Sequence, residues 1–152
     1  IRLRAVHAST VMKINLEVGD VAQFTKTLGE SDVYLFAGIT GDLSPNNINE
    51  EYGRTTPYGG RIAHGMLVLS LSSACSTMIQ ARAGQACVSY GYDKVRFTAG
   101  VLIGDTLTVT YTITEVDQEA AKTYSSIEIH NQRGELCAVG KHILKFFDAP
   151  LA

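Results

Sequence analysis

IAHGMLVLSLSSACSTMIQA, residues Ile62–Ala81, is the longest run in this sequence without a charged side chain. It is long enough to invite comparison with a membrane span. Ser70, Ser72, Ser73, Ser76, Thr77 and Gln80 make it too polar for lipid on all sides. Met66, Leu67, Val68, Leu69, Leu71, Ala74, Met78 and Ile79 would cover most of a helix's circumference. A helix apolar nearly all round must be surrounded. The run therefore predicts one long helix, about residues 62–82, buried inside a protein.

The flanking sequence supplies what surrounds it. After Gly84 the apolar period changes from helical to two. In TLTVTYTIT, Thr106–Thr114, Leu107, Val109, Tyr111 and Ile113 share one face and the threonines the other. Residues 86–98, 124–130 and 136–147 also read as strands, separated by turns at AGVLIGD, EVDQEAAK and NQRGE. Upstream, VAQFTKTL (Val21–Leu28) predicts a short strand. Glu30 or Ser31 then opens a helix carrying Val33, Leu35, Phe36 and Ala37. A loop from Gly41 to Gly60 follows, with a helical turn expected around Asn49–Tyr52. So long a loop in a compact domain suggests function rather than connection. The order predicts an α+β fold, an antiparallel sheet curled around the long helix.

The bulk numbers fit one such domain. The chain has 152 residues, 45% hydrophobic and 18% charged. Its net charge is −2 and no basic block stands out, which argues against nucleic acid as partner. Cys75, Cys87 and Cys137 have neither metal-ligand spacing nor a disulfide framework. They read as small buried hydrophobes in a reducing, cytoplasmic setting, with no metal site expected. Residues 1–15 read as an N-terminal extension or a first strand, and residues 16–152 as the domain.

Few residues are placed for chemistry. Asp42, in GITGDLSPNNINEEYG (Gly38–Gly53), is locally a turn acid that satisfies backbone N–H groups. His64 would fix the start of the buried helix. Gly65 after it would let a ligand approach the helix N-terminal N–H groups, the geometry of an oxyanion hole. Ser73, on the same helix, reads locally as a serine bonded to a carbonyl one turn earlier. There is no G-x-S-x-G elbow and no glycine-rich phosphate loop. His7, His130 and His142 read as ordinary surface or sheet histidines.

Taken together, FAGITGDLSPNNINEEYGRTTPYGGRIAHGMLVLSLSS resembles the signature of the MaoC-like, (R)-specific enoyl-CoA hydratases: G-D-x-N/S-P-x-H followed by R-I-x-H-G-M-L. VRFTAGVLIGDTLTV is similar to the family's later strand-turn-strand. The resemblance runs from about Leu16 to Phe147. It implies a single hot-dog fold, a homodimer or higher homo-oligomer, and no cofactor beyond the acyl-CoA or carrier-bound thioester substrate. It implies a hydro-lyase that adds water syn to a trans-2-enoyl thioester, giving the (R)-3-hydroxyacyl product. By the resemblance, Asp42 holds the attacking water and the Gly65 N–H binds the thioester carbonyl. Ser73 and His64 support the substrate site, with Met66 and Tyr58 beside it. Phe36 and Tyr52 are further pocket candidates, and Arg61, Lys94 and Arg96 are candidates for the phosphates at the rim.

One position departs. Asn47 stands where the family has its catalytic histidine, five residues after the aspartate. An amide can orient water but does not titrate. General acid–base help is worth ~10²–10⁴-fold in rate, so low activity is expected of this chain. Either the native chain carries histidine there, or the amide is natural and serves a different reaction or acyl binding alone. Two alternatives stand beside the hydratase: a non-catalytic acyl-thioester-binding subunit of a hot-dog heteromer, and a hot-dog thioesterase.

Overall fold

The computed structural model describes residues 12–152, so His7 and the first part of the proposed N-terminal segment lie outside the described residues. Ten elements follow in order: β1 (Val21–Thr27), α1 (Glu30–Thr40), α2 (Pro45–Ile48), α3 (Glu50–Thr55), α4 (Gly65–Ser70), α5 (Ser72–Ala83), β2 (Cys87–Phe97), β3 (Thr106–Asp117), β4 (Lys122–His130) and β5 (Leu136–Phe146). The strands form one antiparallel sheet in the order β1-β3-β4-β5-β2, leaving β1 and β2 as its edges. The α+β architecture is the one expected, an antiparallel sheet packed on the central helical segment.

The alternation in β3 sets the two faces of the sheet. Leu107, Val109, Tyr111 and Ile113 are wholly buried. On the opposite face the threonines pair across to β1. The Thr25 and Thr108 hydroxyls lie 3.0 Å apart, and those of Thr27 and Thr106 2.7 Å apart. Such cross-strand hydroxyl pairs add modestly to a sheet whose register the buried face already fixes. Ile14 and Leu16, in the extended segment before β1, also enter the core.

The long helix differs from expectation in three ways. It starts at Gly65, because Ile62 is drawn into an extended bridge with Leu102 and the Ala63 N–H donates to the Val101 carbonyl at 2.7 Å. It is interrupted at Leu71, dividing α4 from α5. Serine hydroxyls cluster at that junction: Ser70 Oγ donates to the Leu67 carbonyl and Ser72 Oγ to the Leu69 carbonyl, drawing carbonyls from the helical ladder. Finally, α5 buries only one stripe within the chain: Ser72, Cys75, Ile79 and Ala83 face the core, while Ser73, Thr77 and Met78 are exposed. The long loop is also more ordered than read, holding both α2 and α3 in place of a single turn at Asn49–Tyr52.

Two buried polar clusters brace the sheet. Asp105 accepts from the Leu102 N–H (3.0 Å), Gln132 Nε2 (2.8 Å) and Arg133 Nη1 (3.1 Å). Burial alone would raise its pKa, but these donors outweigh burial and hold it below the usual carboxylate range. His142 lies in the sheet, as read, but is buried rather than at the surface. Its Nδ1 is 2.8 Å from the Tyr111 hydroxyl and its Nε2 2.7 Å from Ser89 Oγ. Burial pulls its pKa down to about 4, which makes it a weak base and a core residue rather than a catalytic one. Cys75 and Cys137 are buried free thiols and Cys87 is half-buried. Burial pushes Cys75 up to about 11, leaving it inert as a nucleophile near neutral pH.

Candidate active site

The site is built where α1 ends. Gly41 takes a left-handed conformation (φ 78°), which glycine adopts without the steric cost of a side chain, and its N–H donates to the Ala37 carbonyl. The chain then turns sharply. The Asp42 N–H donates to Thr40 Oγ1 at 3.1 Å, and Asp42 Oδ1 accepts from the Ser44 N–H at 3.2 Å. The local reading of Asp42 as a turn acid is therefore correct, but incomplete. Asp42 also lines a cavity of about 700 Å³.

Pro45 opens α2 and places Asn47 inward, where it is buried. Asn47 Nδ2 donates to the Ile62 carbonyl at 2.7 Å, and the Ile62 N–H donates to the Asn46 carbonyl at 3.1 Å. These two bonds tie the loop after α1 to the segment leading into α4. A third tie runs from His64, whose Nε2 lies 2.9 Å from the Asp42 backbone carbonyl. A carbonyl only accepts, so Nε2 carries a proton, and the buried Nδ1 has no partner among the described residues. The Phe36 ring packs against His64 at 4.8 Å.

Asp42, Asn47 and Gly65 thus line one cavity, together with His64, Met66, Phe36 and Ser70. No partner for the Gly65 N–H is found among the described residues. A side chain at Gly65 would collide with the Phe97 ring, which a Cβ would meet at 2.8 Å. Glycine therefore allows Phe97 to close over the start of α4. Among the described residues no group of three or more His, Cys, Asp or Glu side chains is arranged to hold a metal ion.

Other sequence candidates fall elsewhere. Tyr58 lines a second cavity, of about 290 Å³, which shares Ile62, Ala63, Gly65 and Phe97 with the first. Tyr52 is exposed and lines neither cavity, its N–H capped by Asn49 Oδ1. Ser73 is exposed on α5 and outside both cavities; Ser70, one turn earlier, occupies the cavity wall. Arg61 does not present a free cation at the rim, because it is ion-paired with Glu30 and Glu50 and its side chain is 13% exposed. Lys94 lines a separate groove with Lys141, and Arg96 is exposed with Nη1 on the Val95 carbonyl. Thr40, Ser44 and Phe97 are site residues that motif reading passed over. The first two act through backbone turns around Asp42, and Phe97 arrives from a distant strand.

Fold and site together define a hot-dog domain with an acid, an amide and a free helix-terminal N–H around one apolar cavity. Residues 12–132 match the MaoC like domain, and the chain belongs to that family. It is 41% identical over 100 residues to an (R)-specific enoyl-CoA hydratase of Rhodospirillum rubrum, covering 66% of this chain and 67% of that protein. The structure is similar to the R-hydratase PhaJ1 of Pseudomonas aeruginosa, with TM-score 0.77, 32% identity, and 90% and 85% of the two chains covered. It is also similar to the (R)-hydratase from A. caviae involved in PHA biosynthesis, with TM-score 0.78, 28% identity, and 86% and 97% covered.

Proposed function

We propose that this chain is an (R)-specific enoyl-thioester hydratase, the reverse reaction being dehydration of a 3-hydroxyacyl thioester, with turnover held low by Asn47. The observation that carries this reading is that Asp42, Asn47 and Gly65 line the same cavity. Hydration places the water oxygen on C3 and a proton on C2. Asp42 holds the water and takes the proton as the C–O bond forms, then returns it to C2 from the same face, which makes the addition syn. The electron pair displaced from the double bond rests meanwhile on the thioester oxygen, against the Gly65 N–H. Asn47 fixes position without moving a proton, so a single carboxylate carries both transfers.

The test is incubation with crotonyl-CoA and with each enantiomer of 3-hydroxybutyryl-CoA. Slow interconversion of crotonyl-CoA with the R form alone, abolished by Asp42→Asn, is expected. Release of free CoA would instead point to a thioesterase. Asn47 also favours a second reading, a non-catalytic acyl-thioester-binding subunit. Tight butyryl-CoA binding with turnover only on adding a second, histidine-bearing chain would select it.

The active assembly is a homodimer. Two exposed surfaces support this: the Ser73, Thr77 and Met78 face of α5, and the edge strand β2, which carries Val88, Tyr90, Tyr92 and Phe97 with 38–60% of their surface exposed. A cytoplasmic setting fits the three free thiols. No helix of the described residues is long and apolar enough to cross a membrane.

A further inference from the structure

Arg61 stands one residue before Ile62, whose backbone holds both Asn46 and Asn47. It lines neither cavity, and its side chain is 13% exposed. Each of its three guanidinium nitrogens makes a different contact. Nε donates to Glu50 Oε2 of α3 at 2.6 Å, and Nη2 is ion-paired with Glu30 Oε1 of α1 at 2.5 Å. Nη1 donates to the Tyr34 hydroxyl at 3.4 Å, which in turn donates to the Ile48 carbonyl at 3.3 Å. Ile48 ends α2 and follows Asn47. We propose that Arg61 is a positioning residue of the active site, a clasp that draws α1, α2 and α3 together and so holds the Asn47 amide on the Ile62 carbonyl. For its effect on rate this rests on the hydratase reading, to which it adds a residue that acts through Asn47.

These contacts need a planar fork with donors on three sides. A lysine brings the same charge on one nitrogen and cannot span Glu30, Glu50 and Tyr34. The backbone closes at the same point. A Cβ at Gly53, in α3, would meet the Gly60 carbonyl carbon at 2.7 Å and the Arg61 nitrogen at 2.8 Å, so glycine lets α3 lie directly on this segment. The segment itself stays in place through the bridge from Ile62 to Leu102, so what the clasp fixes is α2 against it. Asp42 is held otherwise, through Thr40, Ser44 and His64. Loss of the clasp is therefore felt at Asn47 more than at Asp42. Glu30 and Glu50 keep 58% and 40% of their side-chain surface exposed, and Glu50 also pairs with Arg54 at 3.5 Å, so removing Arg61 strands no buried carboxylate.

The test is a double-mutant cycle on crotonyl-CoA hydration: Arg61→Met, Asn47→Ala and the pair, with the melting temperature of each. Arg61→Met should lower kcat about tenfold with KM moving less, and should cost little more in the Asn47→Ala background, because the amide it positions is gone. An equal loss in both backgrounds overturns the inference. Arg61→Lys should fall nearly as far as Arg61→Met; full rescue by lysine makes charge rather than the fork the cause, and overturns it too. Glu50→Gln, at the surface, loosens one arm of the clasp and serves if Arg61→Met does not fold: a smaller loss is expected, absent without Asn47, and its persistence there counts against the clasp. A second readout needs no turnover. In isotope-labelled protein the Asn47 side-chain amide proton bonded to Ile62 should exchange slowly with water, and Arg61→Met should speed that exchange by about five- to tenfold, the worth of one hydrogen bond. Equal exchange in the two proteins overturns the clasp. Wild type that shows this change yet turns over no enoyl thioester loses the hydratase reading and keeps the clasp.

Discussion

Replacing Asn47 with histidine should restore what the site lacks, and the structure says how. In asparagine the donor Nδ2 is two bonds from Cβ, and it is spent on the Ile62 carbonyl at 2.7 Å. In histidine, Nδ1 stands at the same two bonds from Cβ. An Nδ1–H would take over the bond to Ile62 and so fix the tautomer, leaving Nε2 unprotonated and one ring width further out. The side chain lines a cavity of about 700 Å³, so the larger ring has room in that direction. The new base would share with Asp42 the two proton transfers that the proposed mechanism gives to one carboxylate. Acid–base catalysis of this kind is worth ~10²–10⁴-fold, or roughly 3–5 kcal/mol of barrier.

The assay is loss of the enoyl absorbance of crotonyl-CoA in wild type and in Asn47→His, with butyryl-CoA binding measured in parallel. The gain should appear in kcat with little change in butyryl-CoA affinity. The hydration rate of the variant should acquire a limb rising with pH through the ordinary imidazole range near ~6.5, absent from wild type. Asn47→His protein that is folded, binds butyryl-CoA as wild type does, and is no faster would refute the reasoning. Position 47 would then not face the reacting atoms.

Two further outcomes follow from the hydrogen bonds around the site and the sheet. His64→Ala removes the donor to the Asp42 carbonyl and should lower kcat by about 10²-fold, because a loosened carboxylate is misplaced rather than lost; KM should move far less, and a matching fall in thermal stability alone would count against a positioning role. His142 is neutral in the fold, with its pKa lowered to about 4 against about 6.5 when unfolded. The unfolded chain therefore binds more protons between those values, and stability should fall as pH drops from about 6.5 to about 4 at up to ~1.4 kcal/mol per unit. Urea titrations of wild type and His142→Gln across that window measure it, and an unchanged slope in the variant would sink the assignment to His142.

Sheet and core were legible because alternation leaves little freedom. Once Leu107, Val109, Tyr111 and Ile113 share a face, a slip of one residue would expose all four, and all four are fully buried. The start and continuity of the central helix were not legible. Whether Ile62 and Ala63 join the helix or bridge to Leu102 and Val101 depends on a segment some forty residues later, which no local period reports. The same bridge explains the site. It holds residues 62–63 extended, and that lets the Ile62 backbone bond to both Asn46 and Asn47 while His64 reaches the Asp42 carbonyl. Had the helix begun at Ile62, as its composition invites, the Ile62 carbonyl would have been turned into the helical ladder and lost to Asn47. The motif residues Asp42, His64 and Gly65 are therefore not three independent placements. One extended segment, pinned from the irregular stretch between β2 and β3, ties them together, so a substitution at Leu102 should lower the rate of crotonyl-CoA hydration without touching Asp42.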